Sequence, residues 1–158
     1  MQKNWQVIYE MRNIIADTSC LIVLEKVNML YLLKKLYGTI LITEEVAGEY
    51  GDEVAEWIKI RQVQDRKTLE VISAFVDLGE ASSIALAMET ENSTIIIDDL
   101  KGRKVAEKLG LRITGTIGVL LKAKDSNLVD SLKSATEQLK ASGFRISNEL
   151  EQEILRYD

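Results

Sequence analysis

Apolar residues come either in short unbroken runs or at every third or fourth position, and the two patterns alternate from residue 13 onward. The runs predict strands and the spaced pattern predicts helices with one apolar face. Asn13-Ile14-Ile15-Ala16 is a first strand, ending in the polar turn and helix cap Asp17-Thr18-Ser19. Leu21, Ile22 and Leu24, then Leu30, Leu32, Leu33 and Leu36, recur at helical spacing until Gly38. Thr39 to Ile42 is a second strand, and Thr43 caps a helix whose first turn holds Glu44 and Glu45. Residues 52–60 read as helical, and Gln62-Val63-Gln64 as a short edge strand. Leu69, Val71, Ile72, Phe75 and Val76 suit either a helix or an irregular apolar segment.

Gly79 opens a helix through Ile84, Ala85, Ala87 and Met88, and Ser93 to Ile97 is a strand ending in Asp98-Asp99. A helix through Val105, Ala106 and Leu109 stops at Gly110. Arg112-Ile113-Thr114 is the last strand, and Gly115 leads into a helix from Val119 to Lys124. Helices near 129–141 and 147–156, joined by Ser142-Gly143, close the chain. Alternating strands and helices predict an α/β fold, a parallel sheet covered on both faces, with sites at the carboxyl ends of its strands. No repeat, linker or low-complexity run interrupts the pattern, so residues 1–158 are expected to form one domain.

Composition narrows the chemistry. The hydrophobic share of 46% and charged share of 28% are ordinary for a soluble protein. The longest apolar runs, such as Ile95-Ile96-Ile97, are far too short to span a bilayer, so no membrane partner is expected. Met1 to Glu10 carry Trp5, Val7 and Ile8 but neither a long apolar core nor a small-residue cleavage site, which argues against a secretory signal. A lone cysteine, Cys20, precludes an internal disulfide and agrees with a reducing cytoplasm. With no histidine, histidine triads and histidine-ligated zinc sites are impossible. The net charge of −5 argues against a broadly basic nucleic-acid coat, although a metal bound to an acidic site reverses the local charge.

Carboxylates are the remaining candidates. Asp17 follows the first strand, and Asp98 and Asp99 follow the fourth. Glu45 and Glu49 lie four apart on one helix, and Glu80 stands in the first turn of the helix leading to the Asp98 strand. If these strands are neighbours, acids from four segments converge. Crowded carboxylates repel and raise one another's pKa, a penalty that a divalent cation removes. Oxygen donors alone select hard ions, Mg²⁺ or Mn²⁺, which support phosphodiester hydrolysis. Each acid also has a plainer explanation: a cap for Asp17 or for one of the Asp98-Asp99 pair, and helix-dipole compensation for Glu45 and Glu80. Gly115-Thr116-Ile117-Gly118 lacks the ending of a phosphate loop and reads as a turn with close helix packing. Lys101, Arg103 and Lys104 read as an exposed basic helix face, with contact to substrate phosphate as the alternative.

The run Ile14 to Ser19, then Leu78-Gly79-Glu80-Ala81, then Ile97-Asp98-Asp99 with Lys101-Gly102-Arg103, resembles the PIN-domain superfamily. The closer resemblance is to its VapC-like branch with DUF3368, to which Thr114 to Gly118 and Ser142 to Ser147 also conform. The resemblance implies a three-layer α/β/α sandwich and Mg²⁺- or Mn²⁺-dependent cleavage of single-stranded RNA. It matches Asp17 to the first family acid and Glu80 to the acid of the Gly-Glu-Ala element, a Glu where many toxins have Asp. The second acid falls on Glu49, with Glu45 its rival, and Asp98 and Asp99 share the fourth position. Asp17, Glu49, Glu80, Asp98 and Asp99 are thus the implied metal-binding and catalytic set, and Thr18 and Ser19 match hydroxyls that orient the first aspartate. By analogy alone, it extends to a small antitoxin partner and a homodimer. Two other classes compete: a non-catalytic module that keeps the fold, and a phosphoacceptor receiver. The receiver needs paired acids after its first strand, whereas here Asp17 is followed by Thr-Ser.

Overall fold

The computed structural model describes residues 12–158; the Met1 to Glu10 segment, read above for a secretory signal, lies outside them. Five strands form one all-parallel sheet in the order β3-β2-β1-β4-β5. These are β1 (Asn13–Ala16), β2 (Ile40–Thr43), β3 (Ile58–Arg61), β4 (Ser93–Ile96) and β5 (Arg112–Thr114). The helices are α1 (Thr18–Lys26), α2 (Tyr31–Tyr37), α3 (Glu44–Tyr50), α4 (Arg66–Ile72), α5 (Leu78–Glu89), α6 (Leu100–Lys108), α7 (Thr116–Asp125), α8 (Leu132–Ala141) and α9 (Asn148–Leu155).

Successive side chains on a strand point to opposite faces, so the buried carboxyl-end halves of the central strands are apolar on both faces. Ile14 and Ala16 of β1, with Ile96 of β4, pack against α1, α2, α7, α8 and α9 on one face. Ile15, Ile95 and Ile97 pack against α4, α5 and α6 on the other. The result is the three-layer α/β/α sandwich. Helix α5 departs from the usual amphipathic pattern, because Gly79 through Ala87 are all buried. Its small residues let it press between the sheet and its neighbours. The hydroxyls this buries are satisfied locally: Ser82 and Ser83 donate to the Gly79 carbonyl at 2.8 and 3.0 Å. Since the Ser82 proton is committed there, Thr43 donates to Ser82 at 2.7 Å, tying β2 to α5.

The expectation of a helix over 52–60 was wrong. Residues 52–57 are irregular, with a turn at 56–57, and Ile58–Arg61 is the edge strand, pairing with β2 from Ile40↔Ile58 to Thr43↔Arg61. The alternation Ile58-Lys59-Ile60-Arg61 has the period of a strand, and β-branched Ile58 finds a buried place beside β2. The edge strand therefore lies a few residues before Gln62-Val63-Gln64; Val63 is buried, but in a loop. The undecided segment divides in two: α4 ends at Ile72, and residues 73–76 form a turn that leaves Phe75 exposed. Among the described residues, no helix is long and apolar enough to cross a membrane.

Candidate active site

Parallel strands all end on the same side of the sheet, and here the helices that follow begin there too. Strands β1 and β4 are paired neighbours, with Ala16 opposite Ile96, so Asp17 and Asp98-Asp99 leave adjacent strand ends. Strand β2, on the other flank of β1, feeds α3 and brings Glu49. Helix α5 packs across and brings Glu80. Gly79 shows how closely they meet, since a Cβ there would overlap the Glu49 carboxylate and lie 2.7 Å from its Cδ.

Asp17 is only 4% exposed and stands at the N-cap position of α1, yet its side chain makes no capping hydrogen bond. Burial pushes its carboxyl up to about 7; the Thr18 backbone N–H opposes the shift, and the charges of Asp77, Glu49 and Asp98 reinforce it. Glu80 is pushed up to about 8 by burial, then by the charges of Asp77, Asp99 and Asp17 and a hydrogen bond with the Asp77 carboxyl. The five implied site residues are therefore electrostatic neighbours.

Their other partners separate the pairs left open by the sequence. Glu49 accepts a 2.6 Å hydrogen bond from the Thr18 hydroxyl and faces the cluster. Glu45, one helical turn earlier, pairs with Arg66 at 3.1 Å and turns toward α4. Spacing put these glutamates on one face, but their neighbours draw them apart. Asp99 caps α6, accepting from Gly102 N at 3.1 Å. Asp98 instead accepts from Thr116, at 2.8 Å from the backbone N–H and 2.6 Å from the hydroxyl. Both aspartates remain near the cluster, Asp98 beside Asp17 and Asp99 beside Glu80. Thr18 departs from the role the resemblance implied, because its hydroxyl orients Glu49 rather than Asp17.

Two further residues belong here. Asp77 caps α5 by accepting from Glu80 N at 3.0 Å and presses its charge on both Asp17 and Glu80. The spacing Asp77-Leu78-Gly79-Glu80 is that of a capping box and could have revealed it. Thr116 grips Asp98 from 18 residues away, a contact no local pattern announces. Gly115 makes room for that contact: a Cβ on it would fall 2.8 Å from Asp98 Oδ1 and 3.0 Å from Arg103 Nη1. Its φ of −119° demands no glycine, so of the turn and the close packing expected, close approach is the reason. Arg103 donates to the Ile97 carbonyl at 2.8 Å, which fixes the strand end instead of leaving it on an exposed basic face.

Ion pairs among the described residues join Arg66 to Glu45, Lys124 to Asp158 and Lys140 to Glu151, and none reaches the clustered acids. Buried negative charge without a paired cation is costly. The donor set, carboxylate oxygen without histidine, suits a hard divalent ion. Cys20, buried below, is held as a thiol by burial and by the Asp98 charge. Among the described residues, no three side chains are already posed to hold one ion. Glu49, Asp98 and Asp99 are instead turned onto Thr18, Thr116 and Gly102.

No curated protein and no solved structure matches the chain. A family model, DUF3368, described as a PIN domain, matches residues 13–157, which run from the start of β1 past α9. PIN domains have a nuclease-type fold, and they typically use divalent metal ions. The sheet, the motifs at its strand ends and this match agree: the chain belongs to the DUF3368 family of PIN domains.

Proposed function

We propose that this chain is a divalent-metal-dependent endoribonuclease that hydrolyses single-stranded RNA. The observation carrying the reading is Asp17, a buried carboxyl at a helix start that caps nothing and is surrounded by other acids. A structural aspartate in that place would be spent on the helix. Asp17, Glu49, Glu80 and Asp98 would hold Mg²⁺ or Mn²⁺, with Asp99 beside Glu80. The bound ion would neutralise the acids and supply the activated water and leaving-group stabilisation of in-line phosphodiester displacement.

The chain's own contribution is orientation and charge. Thr116 fixes Asp98 through two hydrogen bonds, and Thr18 fixes Glu49. Asp77 and Asp99 lock the first turns of α5 and α6, which sets the position of Glu80 between them. The N-termini of α1 and α7 begin at the strand ends, where the Thr18 N–H reaches Asp17 and the Thr116 N–H reaches Asp98, so their backbone groups add positive potential there. By analogy with VapC-like toxins, the proposal extends to a small antitoxin as partner.

A 5′-labelled single-stranded RNA should be cut internally in Mn²⁺ or Mg²⁺ and left intact in EDTA. The commitment of Glu49, Asp98 and Asp99 to protein donors, with no three acids among the described residues posed on one ion, favours a second reading, a module that keeps the fold without catalysis. Intact RNA across a panel of sequences in millimolar Mn²⁺, with the protein folded, would decide for that module.

A further inference from the structure

A depression of about 350 Å³ opens beside the acids, with Phe75, Asp77, Glu80, Asp99 and Lys101 among its lining residues. Two of these are poorly explained by stability. Phe75, in the turn after α4, is 67% exposed, where an aromatic ring loses most of its value as core. Lys101 stands in the first turn of α6, where a cation opposes the helix dipole, and it forms no ion pair among the described residues. A free aromatic ring and an unpaired amine therefore meet in one pocket, and two of its other walls, Glu80 and Asp99, belong to the implied metal-binding acids.

A nucleotide brings complementary groups: a flat π-face and a phosphate. The volume lies at the lower end of the roughly 300–1,000 Å³ typical of small-ligand sites, which suits one nucleotide rather than a duplex. Bases of single-stranded RNA stack on exposed aromatic side chains without needing a particular sequence. Lysine supplies a point charge for phosphate.

We infer that this depression is a nucleotide subsite flanking the scissile phosphate, in which Phe75 stacks on a base of the single-stranded RNA and Lys101 holds its phosphate. The inference rests on the ribonuclease reading but concerns residues outside the acid cluster. It makes substrate affinity depend on side chains that hold no metal.

The test compares wild type with Phe75→Leu, Phe75→Trp and Lys101→Gln on a short labelled RNA in Mn²⁺. Phe75→Leu should raise KM roughly ten- to a hundredfold with kcat little changed, and Phe75→Trp should restore it. Emission from the introduced Trp should be quenched when RNA is added, beyond any response of Trp5 and Trp57 in wild type. Lys101→Gln should raise KM and reduce the salt dependence of RNA binding by about one phosphate contact. All three variants should keep the wild-type response of Tm to Mn²⁺. A wild type that cleaves RNA alongside a Phe75→Leu variant of equal KM would overturn the subsite and leave the ribonuclease standing. A wild type that neither binds nor cleaves RNA in Mn²⁺ would overturn both. A Phe75→Leu effect on sedimentation without one on RNA would assign the ring to an interface between copies, and so overturn the subsite too.

Discussion

Four aspartates occupy N-cap positions among the described residues, and they behave in two ways. Asp65, Asp77 and Asp99 each accept a hydrogen bond from a backbone N–H three residues on, at 3.0, 3.0 and 3.1 Å. Asp17 has the same place and an extended backbone, and caps nothing. Asp65 makes the contrast plain. It is exposed, and hydrogen bonds from the Thr68 side chain and backbone hold its carboxyl below the usual range. Asp17 is buried among acids and pushed up to about 7. One local motif thus serves two purposes: where the aspartate is exposed, as at Asp65, Asp77 and Asp99, it stabilises the helix, and where it is buried among other acids, as at Asp17, it is held at a cost to the fold. Such a cost persists where function requires it, and removing it distinguishes the two kinds.

The largest effect expected is from Asp17→Asn, which keeps the shape and removes a ligand charge. RNA cleavage should fall at least about a hundredfold, roughly 2.7 kcal/mol of barrier. The metal-free variant should melt no lower than wild type, because a buried repulsion is relieved. Near-normal cleavage by the folded variant would return Asp17 to the ordinary aspartates.

The two glutamates of α3 sharpen the same contrast. Glu49→Gln should remove most activity in saturating Mn²⁺, while Glu45→Gln, which weakens only the pair with Arg66, should leave most of it. The reverse ranking would move the second acid to Glu45.

Stability should depend on pH and metal in linked ways. Asp17 and Glu80 have folded-state values of about 7 and 8 against ordinary values of 3.8 and 4.5, so the folded protein binds more protons over that interval. Their contribution is fully present below about pH 4 and is lost as pH rises through 7 to 8. The metal-free protein should therefore have a lower urea midpoint at pH 8.5 than at pH 6, and Asp17→Asn should flatten the difference. Asp65, shifted the other way, contributes on the opposite side, losing its effect as pH falls through the acid range. At pH 8, free Mn²⁺ at about a hundred times its Kd should stabilise the fold by roughly 2.7 kcal/mol, about 3–5 °C in Tm. A melting temperature indifferent to millimolar Mn²⁺ would break the link between the acids and a cation.

The smallest effect separates two true caps. Asp65→Ala should lower Tm by roughly a few degrees without touching cleavage. Asp99→Ala should cost less stability, because losing its cap also relieves the charge pressed on Glu80. Equal losses in the two variants would mean that Asp99 is only a cap.

Much of this is legible in the sequence. The runs at Ile14 and Ile95 are strands because a central parallel strand must be apolar on both faces. Asp17 and Asp98-Asp99 follow from where those runs end, and Glu80 from the helix start at Leu78-Gly79. The boundaries around β3 were less legible: the stretch from Asp52 to Ile60 mixes apolar and charged residues, and only pairing with β2 makes an edge strand of its end. Asp77 could have been found from its capping-box spacing, but its pressure on Asp17 arises between segments 60 residues apart.

What the sequence determined alone is periodicity, the order of strands and helices outside the edge strand, and which acids stand at strand ends, because these depend on neighbours a few positions away. The tertiary structure decided which way each carboxylate is spent. Glu45 goes to Arg66 and Glu49 to Thr18; Asp98 goes to Thr116, and Asp99 to its own helix. Burial, not residue type, separates Asp17 from Asp65, since desolvation is a property of the packed environment and not of the local chain.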